Sequence, residues 1–194
     1  MTANVLPQPR PLVNIEGEKV ALGPLSRDLI PLYQKWDTDF EVNRTTSSAR
    51  PVTLEEETDA YERFIRDKSF VLFTIYERQS WRPIGKTYLS LTNHNDAEFG
   101  IVIGEKDCQG KGYGTDATRL MLDYGFTVLG LNNIMLTVLE YNQAGIKAYE
   151  KAGFRLIGRR RKARRVNGRL WDVIYMDCVP DDFVSPVLRK FFTS

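Results

Sequence analysis

The stretch Gln109-Gly110-Lys111-Gly112-Tyr113-Gly114 holds the residues best placed to do chemistry in this chain. Before it runs a short apolar segment rich in β-branched residues, Phe99-Gly100-Ile101-Val102-Ile103-Gly104. After it, Ala117, Leu120, Met121, Tyr124, Gly125 and Val128 recur at helical spacing, and Gly130 supplies a stop. A strand that turns through glycines into a helix leaves the first helical N–H groups without partners, and the helix dipole adds positive character there. Such a turn suits a phosphate or pyrophosphate, and glycine lets the backbone approach it because no Cβ intervenes. A kinase-type loop carries its lysine after the last glycine, whereas Lys111 precedes Gly112 and Gly114. A dinucleotide fold spaces its glycines differently and places them near the start of the domain, whereas these lie past the middle of the chain.

A second constellation follows. Asn133 to Glu140 reads as a buried strand, nearly continuous in apolar residues. Asn142 is a plausible N-cap for a helix from Gln143 to Ala152 that Gly153 closes. The pattern Gln-x-x-Gly-x-Gly between strand and helix, followed by Asn142-x-x-Ala-x-x-x-Tyr149-Glu150-Lys151-Ala152-Gly153-Phe154, resembles the cofactor site of the GNAT superfamily of N-acetyltransferases. Val20 to Leu25 resembles that family's opening strand. Asn167 to Asp172 resembles the final hairpin of a branch that includes the acetyltransferases acting on the N-termini, alanine among them, of ribosomal proteins. The likeness spans roughly residues 18 to 183.

The resemblance implies an activity and a set of roles. Acetyl-CoA would be the co-substrate, and an acetyl group would pass to a primary amine by direct attack on the thioester. The acceptor would be a protein N-terminus or a small cationic amine. Gln109, Gly110, Lys111, Gly112, Tyr113, Gly114 and Thr115 would hold the pyrophosphate, and the backbone of Ile101, Val102 and Ile103 would pair with the pantetheine amides like an added strand. The Asn142 side chain would bond the same arm, although capping a helix also accounts for it. Tyr149 would sit near the sulfur as the acid, or else be a half-buried ring beside Ile146. Glu98 would face the acceptor amine, or else be an exposed carboxylate at a strand edge. A base matters most for a lysine-like amine, with a pKa near 10.4, and less for an α-amine near 7.7–8.0.

The elements that must position these groups read as one α/β domain, with a mixed, largely antiparallel sheet flanked by helices and a C-terminal β-hairpin. Its bounds are 17–183, between an irregular arm at 1–16 (Pro7, Pro9 and Pro11 alternate) and a tail at 184–194. Strands are expected at Glu18 to Leu22, Phe70 to Tyr76 and Ile84 to Leu91. Ser26 reads as the cap of a helix bearing Leu29, Ile30, Leu32, Tyr33 and Trp36, and Thr38 to Pro51 as a polar loop. Thr53 and Glu56 form a capping box for a helix that buries Tyr61, Phe64 and Ile65.

Composition sets the outer limits. At 194 residues, 42% hydrophobic and 27% charged, the chain suits one globular domain. It has no long apolar run and no leader-like start, and its two cysteines, Cys108 and Cys178, lack metal or disulfide spacing. A cytoplasmic setting, no metal and no membrane contact are expected. His94, the sole histidine, falls in a polar turn. Charge is uneven: residues 159 to 169 hold seven cations and no acid, and residues 37 to 62 hold eight acids against Arg44 and Arg50. The basic run reads as the solvated faces of a hairpin turning at Asn167-Gly168, and without interleaved aromatics nucleic acid is not the expected partner. The acidic stretch would attract a cationic amine. A homodimer remains open. So does a second class of function, a non-catalytic CoA-binding module that docks to RNA or protein through the arginine-rich hairpin.

Overall fold

The computed structural model describes residues 10–46 and 50–192. Eight strands form one sheet: β1 (Ile15–Glu16), β2 (Val20–Gly23), β3 (Phe70–Glu77), β4 (Pro83–Leu91), β5 (Asp96–Ile103), β6 (Asn133–Leu139), β7 (Arg155–Val166) and β8 (Arg169–Cys178). Their spatial order is β1-β2-β3-β4-β5-β6-β8-β7, and only β5 and β6 run parallel. The helices are α1 (Ile30–Thr38), α2 (Phe40–Asn43), α3 (Leu54–Phe64), α4 (Tyr113–Asp123, continued by a π-helical turn through Val128) and α5 (Gln143–Ala152). The sheet, its C-terminal hairpin and the flanking helices match the expected class.

Period-two alternation divides β3 between the two layers. Phe73 and Ile75 join Ala117, Leu120 and Met121 of α4 in the main core, and Phe73 meets Tyr124 edge-on at 5.4 Å. Between them Thr74 shares a 2.5 Å hydrogen bond with the Tyr33 hydroxyl of α1. Trp36, also on α1, lies flat against the end of β5, where a Cβ on Gly104 would stand 2.1 Å from the indole. Its ring nitrogen donates to Glu105 at 2.8 Å, so the helix is fixed to the strand that leads into the glycine loop.

Several elements depart from the sequence reading. Ser26 does not cap α1: Arg27–Leu29 forms a 3₁₀ turn first, and the Ser26 N–H donates to the Tyr33 hydroxyl. The expected loop after Thr38 contains α2, capped by the Asp39 carboxylate, which accepts from the Glu41 and Val42 N–H groups. The Thr53–Glu56 capping box forms as expected, yet Ile65 is half exposed and Tyr61 and Phe64 are only half-buried. The one fully buried residue of α3 is Glu57. This helix therefore does not seal onto the sheet. Ordered contacts are also made by residues outside 17–183. Ile15 and Glu16, assigned to the arm, pair with Leu22 and Ala21, and Leu188 of the tail is buried. Residues 1–9 of that arm lie outside the described residues.

Candidate active site

The site exists because two neighbouring strands part. The β5–β6 register ends at Glu98 opposite Met135, while β4 follows β5 to Ile103 and β8 follows β6 to Leu139. Beyond Glu98, β5 and β6 each have one free edge facing a wedge. Three aromatic rings mark its root: Phe99 lies 6.2 Å from Tyr149 and 5.9 Å from Phe154, and Tyr149 lies 6.0 Å from Phe154. The expected pairing edge at Ile101, Val102 and Ile103 thus lies on the open side.

One mouth of the wedge is the glycine loop, where a cavity of 390 Å³ is lined by Ile101 to Ile103, Gln109, Gly110, Gly112, Gly114, Thr115, Asn142 and Tyr149. Gly110 and Gly112 have φ of 73° and 85°, left-handed values that a side chain rarely adopts. Gly112 is the N-cap of α4, no side chain caps this end, and the Asp116 N–H is the first in the helix to find a partner, the Gly112 carbonyl. The Tyr113, Gly114 and Thr115 N–H groups therefore have no intrahelical acceptor. The first-turn acid, Asp116, faces away and accepts from the Lys19 and Val20 N–H groups at 2.8 and 3.0 Å. No acidic side chain among the described residues bonds these donors, so they fit a pyrophosphate.

Two expected contacts are absent from this lining. Lys111 is exposed and its carbonyl accepts from the Lys19 ammonium; the Tyr113 hydroxyl donates to Glu77, which raises its pKa to about 12. The Tyr113 side chain is thus tied to β3, and the Lys111 backbone to Lys19. Gln109 bonds the Ile103 carbonyl at 3.0 Å, tying loop to strand. Arg44, Lys147 and Lys151 also line the cavity, against the single acid Glu41. Sequence reasoning missed them, although Lys147 and Lys151 stand four apart on α5 and so share a face.

Asn142 caps α5 as expected, its Oδ1 accepting from the Gly145 N–H at 3.0 Å, which leaves the side-chain NH₂ as a donor at the cavity wall. Tyr149 and Glu98 both line the wedge between the loop cavity and a second cavity. No protein hydrogen bond engages the Tyr149 hydroxyl among the described residues. Burial, with the nearby Tyr88, pushes its pKa up to about 12. Glu98 is exposed on β5, opposite Ser90. From the hairpin, Arg164 and Arg165 also line this wedge, while all seven cations of the basic run are exposed, as expected.

The second cavity, 510 Å³, opens beneath α3 and shares Thr46, Tyr88, Glu98, Ile101 and Val102 with the wedge. Phe64 meets Phe70 at 5.0 Å, and Phe70 meets Tyr88 at 6.3 Å, giving it an aromatic floor. Asp37 and Glu57 enter it together with Lys86. Most of the expected acidic rim is compensated. Asp39 and Glu41 pair with Lys106, Glu56 with Arg50, and Glu62 with Arg27 and Arg66. No group of three or more histidine, cysteine or acidic residues among the described residues is arranged to hold a metal. No helix of the described residues is long and apolar enough to cross a membrane.

Comparison with known proteins bears on the family and the fold. The family described as the acetyltransferase (GNAT) domain matches residues 19–155. The human alpha/beta-tubulin-N-acetyltransferase 9 is 31% identical over 152 residues, covering 71% of this chain and 73% of the relative. Spermidine N(1)-acetyltransferase of Escherichia coli K12 is 33% identical over 159 residues, covering 81% and 84%. The crystal structure of spermidine N-acetyltransferase from Vibrio cholerae in complex with CoA and spermine superposes with a TM-score of 0.78 at 27% identity, covering 84% of this chain and 97% of that one.

Proposed function

This chain belongs to the GNAT acetyltransferases, and from that premise we propose that it transfers the acetyl group of acetyl-CoA to a primary amine, with Tyr149 and Glu98 at the point of transfer. The observation that carries the reading is continuity. The uncapped start of α4, the Tyr149 hydroxyl and Glu98 border cavities that share Ile101 and Val102. When bound, acetyl-CoA supplies the acetyl group as a thioester. The loop N–H groups from Gly110 to Thr115, with Arg44, Lys147 and Lys151 nearby, hold its phosphates, and the free edge at Ile101 to Ile103 and the Asn142 amide hold its arm. The amine enters from the cavity beneath α3. Glu98 takes a proton from the incoming ammonium, directly or through water, and the Tyr149 hydroxyl donates a hydrogen bond to the departing sulfur. A protein, tubulin, and a small cationic amine, spermidine, are the two acceptor kinds that the relatives' names give, and for this chain the protein amine of the reading is an N-terminus. Release of free CoA with a panel of N-terminal peptides and small primary amines tests the assignment; no release with any of them in folded protein rejects it.

The loop role has its own variant. Gly112 is unsuitable, because its φ of 85° would strain any other residue. At Gly114 an added Cβ meets only Ile103 Cγ1, at 3.7 Å, and alanine is the better helix former. Gly114→Ala is therefore expected to fold at least as well as the parent while its methyl group crowds the open donors. Losing one charge-assisted hydrogen bond, about 1.5–3 kcal/mol, weakens acetyl-CoA binding by roughly ten- to a hundredfold. Calorimetry checks it, and unchanged affinity would place the phosphates elsewhere.

A further inference from the structure

The cavity beneath α3 already contains a cation. The Lys86 ammonium lies 2.7 Å from an Asp37 oxygen, 3.5 Å from a Glu57 oxygen and 5.7 Å from the centre of the Tyr33 ring. Glu57 is the most enclosed of the three charged groups, its side chain 8% exposed, and it projects from the helix turn that otherwise lines the cavity with Tyr61 and Phe64. Desolvation favours the neutral form of the Glu57 carboxyl, and Lys86 works against that. Without the lysine, two carboxylates would face an aromatic-floored cavity, a good seat for a second ammonium group. With it, the seat is taken by a residue of the chain itself. Occupying a site against the wrong ligand is a common means of selection.

We propose that Lys86 is a specificity-determining residue: by filling the position between Asp37 and Glu57 it turns the acceptor cavity away from polyamines and toward a single amine carried on an apolar body, as in a peptide that begins with an apolar residue. This inference rests on the acetyl-transfer reading for its kinetic test but not for its binding test. The aromatic floor of Phe64, Phe70 and Tyr88 is what the apolar body would cover.

The test compares spermidine with a tetrapeptide beginning with methionine, using wild type, Lys86→Gln, Lys86→Arg and the double variant Lys86→Gln/Glu57→Gln. In wild type, kcat/KM favours the peptide, and spermidine binds weakly by calorimetry. Lys86→Gln shifts the kcat/KM ratio toward spermidine by roughly tenfold or more and tightens spermidine binding to match. Lys86→Arg keeps the wild-type ratio, and the double variant loses most of the gain. Should the uncovered acids keep Lys86→Gln from folding, Glu57→Gln alone frees the lysine from one partner and lowers the ratio of spermidine to peptide kcat/KM further, and an unchanged or raised ratio overturns the proposal. Equal spermidine affinity in wild type and Lys86→Gln, or a wild-type preference for spermidine, overturns the proposal. If wild type turns over no amine, the acetyl-transfer reading fails, and the binding comparison still decides the role of Lys86.

Discussion

Tyr149→Phe is expected to lower acetyl transfer by roughly a hundredfold or more while leaving acetyl-CoA affinity nearly unchanged. The change removes one oxygen and keeps the ring, so the packing against Phe99 and Phe154 that marks the root of the wedge should survive. No protein partner is lost either, since the hydroxyl bonds none among the described residues. With its pKa pushed up to about 12, the phenol stays protonated wherever the enzyme can be assayed. It is then a weaker acid than a thiol, for which a pKa near 8.5 is ordinary. Its contribution is a hydrogen bond that stabilises charge on the departing sulfur, with the proton shed by the amine replacing any that the tyrosine gives up. Two measurements separate this from a structural role. The pH profile of kcat/KM should rise with deprotonation of the acceptor amine and show no falling limb from Tyr149 below pH 10. Single-turnover rates with bound acetyl-CoA should carry the whole loss. A phenylalanine variant that turns over at the wild-type rate would assign the donor role to water or another group.

What sequence could reveal about this site depended on how local each interaction is. The capping box of Thr53 and Glu56, the Asn142 cap and the left-handed glycines at 112 and 153 each involve residues within a few positions, and all were legible. The strand ends were not, because the place where β5 parts from β6 is filled by rings from β5, α5 and Phe154, two residues beyond α5. Charge misled for the same reason. The run of acids between 37 and 62 suggested an anionic rim, but Lys86 lies 49 residues from Asp37 and 29 from Glu57, and Lys106 lies 65 from Glu41. Only the fold brings those cations to the acids. Of the neighbouring glutamates at 55, 56 and 57, Glu56 closes a cap and Glu57 turns inward, a division set by helical geometry rather than composition. The basic run is exposed throughout, as expected, and what sequence did not reveal is that Arg164 and Arg165 border the wedge, where β7 continues to Val166.

The tail after residue 183 carries the other large effect. Asp123, the last residue of α4, is fully buried, and one of its carboxyl oxygens accepts from the Val187 and Leu188 N–H groups, each at 2.9 Å. The other accepts from the Thr127 hydroxyl at 2.9 Å. One side chain thereby satisfies two backbone donors of the C-terminal segment and holds Leu188 against the core. Asp123→Ala leaves both N–H groups without that acceptor, and each buried unsatisfied donor costs about 1–3 kcal/mol. The expected loss of stability is about 3 kcal/mol or more, which for a domain of this size lowers Tm by roughly 6–12 °C. Asp123→Asn keeps one acceptor oxygen and should fall between the two. The penalty has a lower bound in practice, because the segment can detach and let water reach the freed groups. If it does, amide exchange at Val187 and Leu188 will accelerate while that of β6 stays slow. Chain shortened after residue 183 should then lose about as much stability as Asp123→Ala, and the two changes together little more than either alone, because both remove the same contact. Additive losses would mean that Asp123 stabilises α4 independently of the tail.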